Sequence, residues 1–430
     1  MRLAAVRRQV FAITWITYAG FYLCRKNLGI VLPMLHGISG LRSSELANIV
    51  FGYSLMYAVG QFGFGFLSDR IGAKRVVAGG MLLVVASNLF MGVHASLLWL
   101  LVFGCLNGVG QSTGWSGLVK MMASWFSSDI RGIVMAWWGT NYVLGGFLAT
   151  SFATWAVTEP VLLPKMGWRL GFLLPALILL GITILFSFGV SGTPEEKGFT
   201  SEAPSGQPAA LRDRSNWSDL LALLKKPSLW TISIAYFFLE LCRYALMFWL
   251  PFYMVERLKY GFQAAGYLSS LYELIGIAGA LMAGYISDRF MQSRRAPISA
   301  MMLFGLGCVM LIQPSLAAYG LVGTGIAISL SGVLSYGPDT LLSGAAAQDI
   351  GDVRATGTAS GLVDGIGHLG ALFSPYVVVY VSGHYGWDCL FQVLAGASFL
   401  AAAVLLPSWN RKPEEGYGGQ LNEQRVGQTA

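Results

Sequence analysis

Twelve stretches of this chain are each long and apolar enough to cross a bilayer as a helix, a pattern that no water-soluble fold buries. A hydrocarbon core about 30 Å thick takes roughly 20 apolar residues in a helix, because lipid offers the backbone N–H and C=O groups no partner. The stretches are 9–34, 47–68, 76–94, 96–125, 132–157, 168–191, 228–254, 262–286, 297–314, 317–342, 355–382 and 387–408. The first carries Arg25, Lys26 and Asn27 in its middle and has no small-residue cleavage site, so it is expected to stay as a span and not to be removed as a leader. The expected fold class is therefore an all-α membrane protein.

Only 11% of the residues are charged, against about a quarter in soluble domains. That excludes an ordinary cytosolic enzyme, a disordered chain and a nucleic-acid binder working by phosphate neutralisation. The net charge of +7 follows from where the basic residues sit. If the N-terminus is cytoplasmic, that side collects Arg2, Arg7, Arg8, Arg70, Lys74, Arg75, Arg289, Arg294, Arg295, Arg411 and Lys412, while the opposite loops hold chiefly Arg42, Lys165, Arg257 and Lys259. Basic residues favour the cytoplasmic side, so both termini are expected there, in a bacterial inner membrane, with the bilayer and no nucleic acid as partner. Five scattered cysteines, Cys24, Cys105, Cys242, Cys308 and Cys389, form no disulfide framework or zinc motif, and no metal or other cofactor is expected.

The apolar pattern breaks for longest between Ser191 and Pro227, a polar stretch rich in Pro, Glu, Ser and Arg. It divides the chain into a six-span half (1–190), a cytoplasmic linker (191–227), a second six-span half (228–410) and a tail (411–430). The halves echo one another: Gly65-Phe-Leu-Ser-Asp-Arg70 returns as Gly284-Tyr-Ile-Ser-Asp-Arg289, and Arg25 in the first span is matched by Arg243 in the seventh, 218 residues later. A duplicated bundle with parallel halves is the layout of the major facilitator fold, whose substrate site lies between the halves near the midplane. The run Gly65-Phe-Leu-Ser-Asp69-Arg70-Ile-Gly-Ala-Lys-Arg75 closely resembles that superfamily's loop motif. Asp69 and Arg70, with Asp288 and Arg289 in the second half, are candidates for a conformational latch at helix ends.

Ionisable residues inside spans are costly and point to function. Those deep in a span are Arg25, Lys26, Glu240, Arg243, Glu273, Asp339, Asp364 and His368. Arg25 and Arg243 occupy the first span of each half and are expected to face one another across the centre. Two guanidiniums suit a phosphate group; the competing reading pairs them permanently with carboxylates such as Glu240 or Asp364. Lys26 points about 100° away from Arg25, towards ligand or a neighbouring helix. Asp364 and His368, one turn apart, can share a hydrogen bond. With Asp339 and Glu240 they give the cavity region acidic character, and with Glu273 they read either as a proton site, as a contact for an amine or hydroxyl on the substrate, or as a helix–helix bond. Asp339, near a span's end, is expected to be a cap or loop residue.

Tyr18-Ala-Gly-Phe-Tyr22-Leu-Cys-Arg25-Lys26-Asn27 resembles the first span of the organophosphate:phosphate antiporter family. Arg243-Tyr244 with Trp249 and Pro251, Leu271-Tyr272-Glu273, Tyr336-Gly337-Pro338 and the run 355–361 resemble its seventh, eighth, tenth and eleventh spans. The resemblance implies exchange of an organic phosphate for inorganic phosphate by alternating access, with Arg25 and Arg243 gripping the phosphoryl group. Tyr18, Tyr22, Tyr57 and Trp138 join them at positions that resemble the family's cavity, and Lys26, Asn141 and Glu240 complete the candidate binding residues; for the tyrosines, interface packing is the alternative. It also implies a small anionic substrate and a monomer, not an enzyme.

Several positions depart from the family's pattern. Trp138 and Asn141 replace an Asn and a His, Gln61 a Lys, Glu240 a Tyr and Phe248 an Asp. These departures leave open a proton-coupled importer of another organic anion and a sugar-phosphate sensor that does not transport.

Overall fold

The computed structural model describes residues 3–126, 134–135, 137–159, 166–199, 224–292, 294–346 and 356–410. Among these lie twelve long helices: α1 (Leu3–Ser39), α2 (Ser43–Ile71), α3 (Ala73–Met91), α4 (Leu97–Trp125), α5 (Thr140–Thr158), α6 (Leu170–Gly189), α7 (Pro227–Glu256), α8 (Phe262–Phe290), α9 (Arg295–Ala317), α10 (Gly320–Thr340), α11 (Thr356–Tyr385) and α12 (Trp387–Leu405). Each expected span coincides with one of them. Five helices, α1, α2, α7, α8 and α9, outrun the apolar stretch that marks them, α1 by several residues at both ends, because hydrogen bonding continues past the point where the side chains turn polar. Of the described helices, nine are long and apolar enough to cross a membrane by length and composition alone; α1, α2 and α5 are the more polar three. The polar content of α1 is turned inward, with Arg25, Lys26 and Asn27 all buried.

At the α2–α3 junction Gly72 has φ +94°, a conformation that other residues reach only with strain. It lets the chain reverse within one residue, just after the Gly65–Arg70 run that the sequence repeats.

The first six helices pack among themselves, as do the last six, and the two groups meet through α1 with α7, α2 with α11 and α5 with α8. Among the described residues, hydrophobic packing is continuous across the groups at one end. There Leu28, Val31, Leu35 and Tyr53 share a core with Leu246, Phe248 and Leu250, whereas Val6, Val10, Trp125, Trp138 and Phe186 form a separate core towards the N-terminus. The named cross-contacts lie at mid-depth or towards the α1–α2 turn. Tyr376 donates to Asn48 Oδ1 at 3.0 Å and Gln263 to Glu159 Oε1 at 2.9 Å, and His36 meets Phe252 edge-on. A methyl group at Gly29 would stand 3.1 Å from the Met247 carbonyl oxygen, so α1 and α7 touch there nearly backbone to backbone.

Candidate functional site

Two polar residues of α4 fix the turn of α1 that bears Arg25. Asn107 donates to the Cys24 carbonyl at 2.9 Å and Gln111 to the Phe21 carbonyl at 2.9 Å. On the other side of α1, Asn27 donates to Asn88 Oδ1 at 2.8 Å and to the Gly171 carbonyl at 3.0 Å. Such bonds inside a bilayer hold helices together where apolar packing alone gives no preference over lipid. The sequence reading passed over Gln111, Asn107 and Asn88; polar amides in otherwise apolar runs were the available signal.

Arg25 is buried and its Nε donates to Gln111 Oε1 at 3.3 Å. Its guanidinium lies 4.7 Å from the centres of both the Tyr22 and Tyr57 rings, where the ring faces attract a cation. Among the described residues no carboxylate pairs with it, and its Nη2 has no hydrogen-bond partner.

Arg243 is treated differently. Its Nη1 meets Glu240 Oε1 at 2.5 Å and Asp339 Oδ1 at 2.6 Å, and the guanidinium lies over the Tyr336 ring at 4.9 Å. Asp339 also accepts from the Tyr236 hydroxyl at 3.0 Å. Asp339 is thus no cap or loop residue: it is buried in the last turn of α10 and belongs to the Arg243 cluster. Counting inward from the apolar boundary put it at a span's end, but α10 runs on into a π-helical turn at Leu341–Ala346, which leaves Asp339 inside. Each arginine therefore bonds to the fourth helix of its own half, but Arg25 finds a neutral amide where Arg243 finds a carboxylate.

Lys26 forms an ion pair with Glu273 on α8, both side chains 4% exposed, and Glu273 Oε2 is left without a partner. His368 engages the Asp364 main-chain carbonyl, 2.8 Å from its Nδ1, not the carboxylate; a helix already offers that oxygen one turn back. Its ring stacks on Tyr57 with centres 5.8 Å apart. Tyr57 thus stands between α1 and α11, touching Arg25 and His368.

Trp138 packs against α1 and α4 of the first half. It is fully buried, donates to Thr14 Oγ1 at 3.1 Å, and its ring centre lies 5.7 Å from Tyr18 and 5.6 Å from Trp115. Trp137 is 70% exposed on the bundle's surface. Tyr18 bridges Trp138 to Tyr22, at 5.7 Å from each. Asn141 is fully buried with neither side-chain polar atom bonded. At the latch positions Asp288 pairs with Arg295 at the start of α9, Arg70 and Arg289 are exposed, and Asp69 lies outside the described side chains.

Twelve long helices in two packed groups, with the buried Arg25 on one side of their contact and the largely buried Arg243 on the other, have the layout of a membrane carrier. A profile of the Major Facilitator Superfamily matches residues 14–363. The glycerol-3-phosphate transporter of Bacillus subtilis (strain 168) is 30% identical over 418 residues, covering 94% of this chain and 93% of that protein. The glucose-6-phosphate exchanger SLC37A2 of Xenopus tropicalis is 26% identical, covering 92% and 91%. Among solved structures, a bacterial homolog of the human lysosomal transporter Spinster, inward-facing and unoccupied, superposes with a TM-score of 0.76 at 13% identity over 94% of this chain and 95% of that one, which is likeness of fold. The chain belongs to the organophosphate:phosphate antiporter family of the Major Facilitator Superfamily.

Proposed function

We propose that the protein exchanges an organic phosphate for inorganic phosphate across a bacterial inner membrane by alternating access, as a monomer with both termini cytoplasmic. Its units are a half at 1–190, a linker at 191–227, a half at 228–410 and a tail at 411–430. What supports this is Arg25: a buried guanidinium with no carboxylate partner and a free Nη2, set between two tyrosines. A charge left unpaired in a span is costly, and a phosphoryl oxygen would satisfy it. The relatives' names, a glycerol-3-phosphate transporter and a glucose-6-phosphate exchanger, support a phosphate ester as substrate and exchange as the mode.

Arg243 enters by trading partners. A phosphoryl group held by Arg25 competes with Glu240 and Asp339 for the second guanidinium and draws α7 towards α1. A ligand shifts such an equilibrium only through its different affinity for the two states, and here the difference lies in whether one or both arginines reach it. Tyr22 and Tyr57 flank the Arg25 guanidinium with their rings.

The test is exchange in proteoliposomes loaded with labelled phosphate, with external phosphate or candidate phosphate esters added and no pH gradient. External phosphate or an ester should release the label, and Arg25→Lys should slow release about 100-fold, because a point charge replaces a bidentate fork. Full exchange by Arg25→Lys overturns the reading.

A further inference from the structure

We propose that the cleft between α2 and α11 receives the organic part of the substrate, that Asp364 there accepts an ammonium group, and that the carrier therefore favours phosphate monoesters bearing an amine. This rests on the reading of the chain as a phosphate-ester carrier and names the ester.

The cleft has a volume of about 550 Å³ and is lined by Leu55, Val59 and Gln61 from α2 and by Asp364, His368 and Leu372 from α11. Its walls are mainly apolar with a few polar groups, the usual make-up of a small-molecule site of this size. Tyr57 joins it to Arg25: one ring contacts the guanidinium at 4.7 Å and stacks on His368 at 5.8 Å. The phosphate position and the cleft are thus neighbours across a single side chain.

Charge then selects the occupant. Among the described residues inside the spans, Lys26 is matched by Glu273, and Arg243 by Glu240 and Asp339. Of the charged groups at mid-depth, two are in no ion pair among the described residues: the Arg25 guanidinium and the Asp364 carboxylate, the latter also without a hydrogen bond to its oxygens. A simple dianionic ester satisfies the first and faces the second as a like charge. An ester with an ammonium group at its far end satisfies both, because its two charges match those of the site in sign and order. The partner left by His368 strengthens the case: its Nδ1 is turned to the main chain, so the carboxylate of Asp364 is not engaged by the imidazole one turn away.

The experiment uses the purified full-length protein in vesicles free of phosphatidylethanolamine and measures displacement of bound labelled phosphate. Competitors are compared in pairs of equal chain length: ethyl phosphate with 2-aminoethyl phosphate, and butyl phosphate with 4-aminobutyl phosphate. The amine of at least one pair should displace phosphate at about tenfold lower concentration. Asp364→Asn should bring that ratio to one and Asp364→Glu should restore a preference; because each ratio is taken within one preparation, reduced phosphate affinity in a variant does not disturb it. Equal potency in the wild-type protein overturns the inference whatever the variants do, while phosphate binding itself leaves the exchange reading standing. Absence of phosphate binding overturns both. A preference that vanishes when phosphatidylethanolamine is added assigns the ammonium to a lipid headgroup and overturns the substrate claim.

Discussion

Lys26 on α1 and Glu273 on α8 form an ion pair that crosses from one half of the bundle to the other with both side chains buried. A pair so placed ties the halves at mid-depth, and it must part if they rock.

Removing one member leaves the other charged and buried, at a cost of about 3–5 kcal/mol. Glu273→Gln should lower the thermal midpoint of the purified protein by several degrees, and Lys26→Met/Glu273→Gln should recover most of that loss. A double variant no more stable than the single would show that the pair does not act as a unit.

Gln111 keeps Arg25 in place without neutralising it. Gln111→Glu should supply the missing counter-charge, raise the thermal midpoint, and weaken phosphate binding at least about tenfold. Undiminished phosphate binding in this variant would mean that Arg25 does not hold the anion.

Arg243 already has two carboxylates on one nitrogen. Glu240→Gln removes one rival for the guanidinium, so phosphate should bind several-fold more tightly, an effect of roughly 1 kcal/mol. Calorimetric titration with phosphate checks it, and weaker binding would place Glu240 in the ligand's support instead of in competition with it.

Trp138→Phe keeps an aromatic ring against Tyr18 and loses the bond to Thr14. About 1 kcal/mol of stability should go, while the phosphate dissociation constant stays within twofold. A large change in affinity would return Trp138 to the central site.

The helices and their number were legible because crossing hydrocarbon takes roughly 20 residues of helix, and each of the twelve apolar stretches is about that long or longer. Arg25, Arg243, Lys26 and Glu273 were legible for a related reason, since a charge in an apolar run stands out. Which charge meets which was not: Arg243 with Asp339 joins positions 96 residues apart, and spacing along a helix gives no information on that distance. Trp138 illustrates the opposite difficulty, as a tryptophan fits a cavity wall, a packed interior or an exposed face equally well by sequence, and its neighbour Trp137 is largely exposed. Residues 411–430 and most of the linker lie outside the described structure, so the domain limits stay as the sequence suggests them.

The near-contact of Gly29 with the backbone at Met247 and Phe248 has the character of a fulcrum. At about 1.5 Å per residue, Arg25 lies roughly 6 Å along α1 from that point and Leu3 roughly 39 Å. A tilt that displaces the guanidinium by ~1 Å sweeps the far end of the helix through ~6 Å. The long arm of α1 thus converts a motion no larger than a change of hydrogen-bond partner into an aperture wide enough for a small ester.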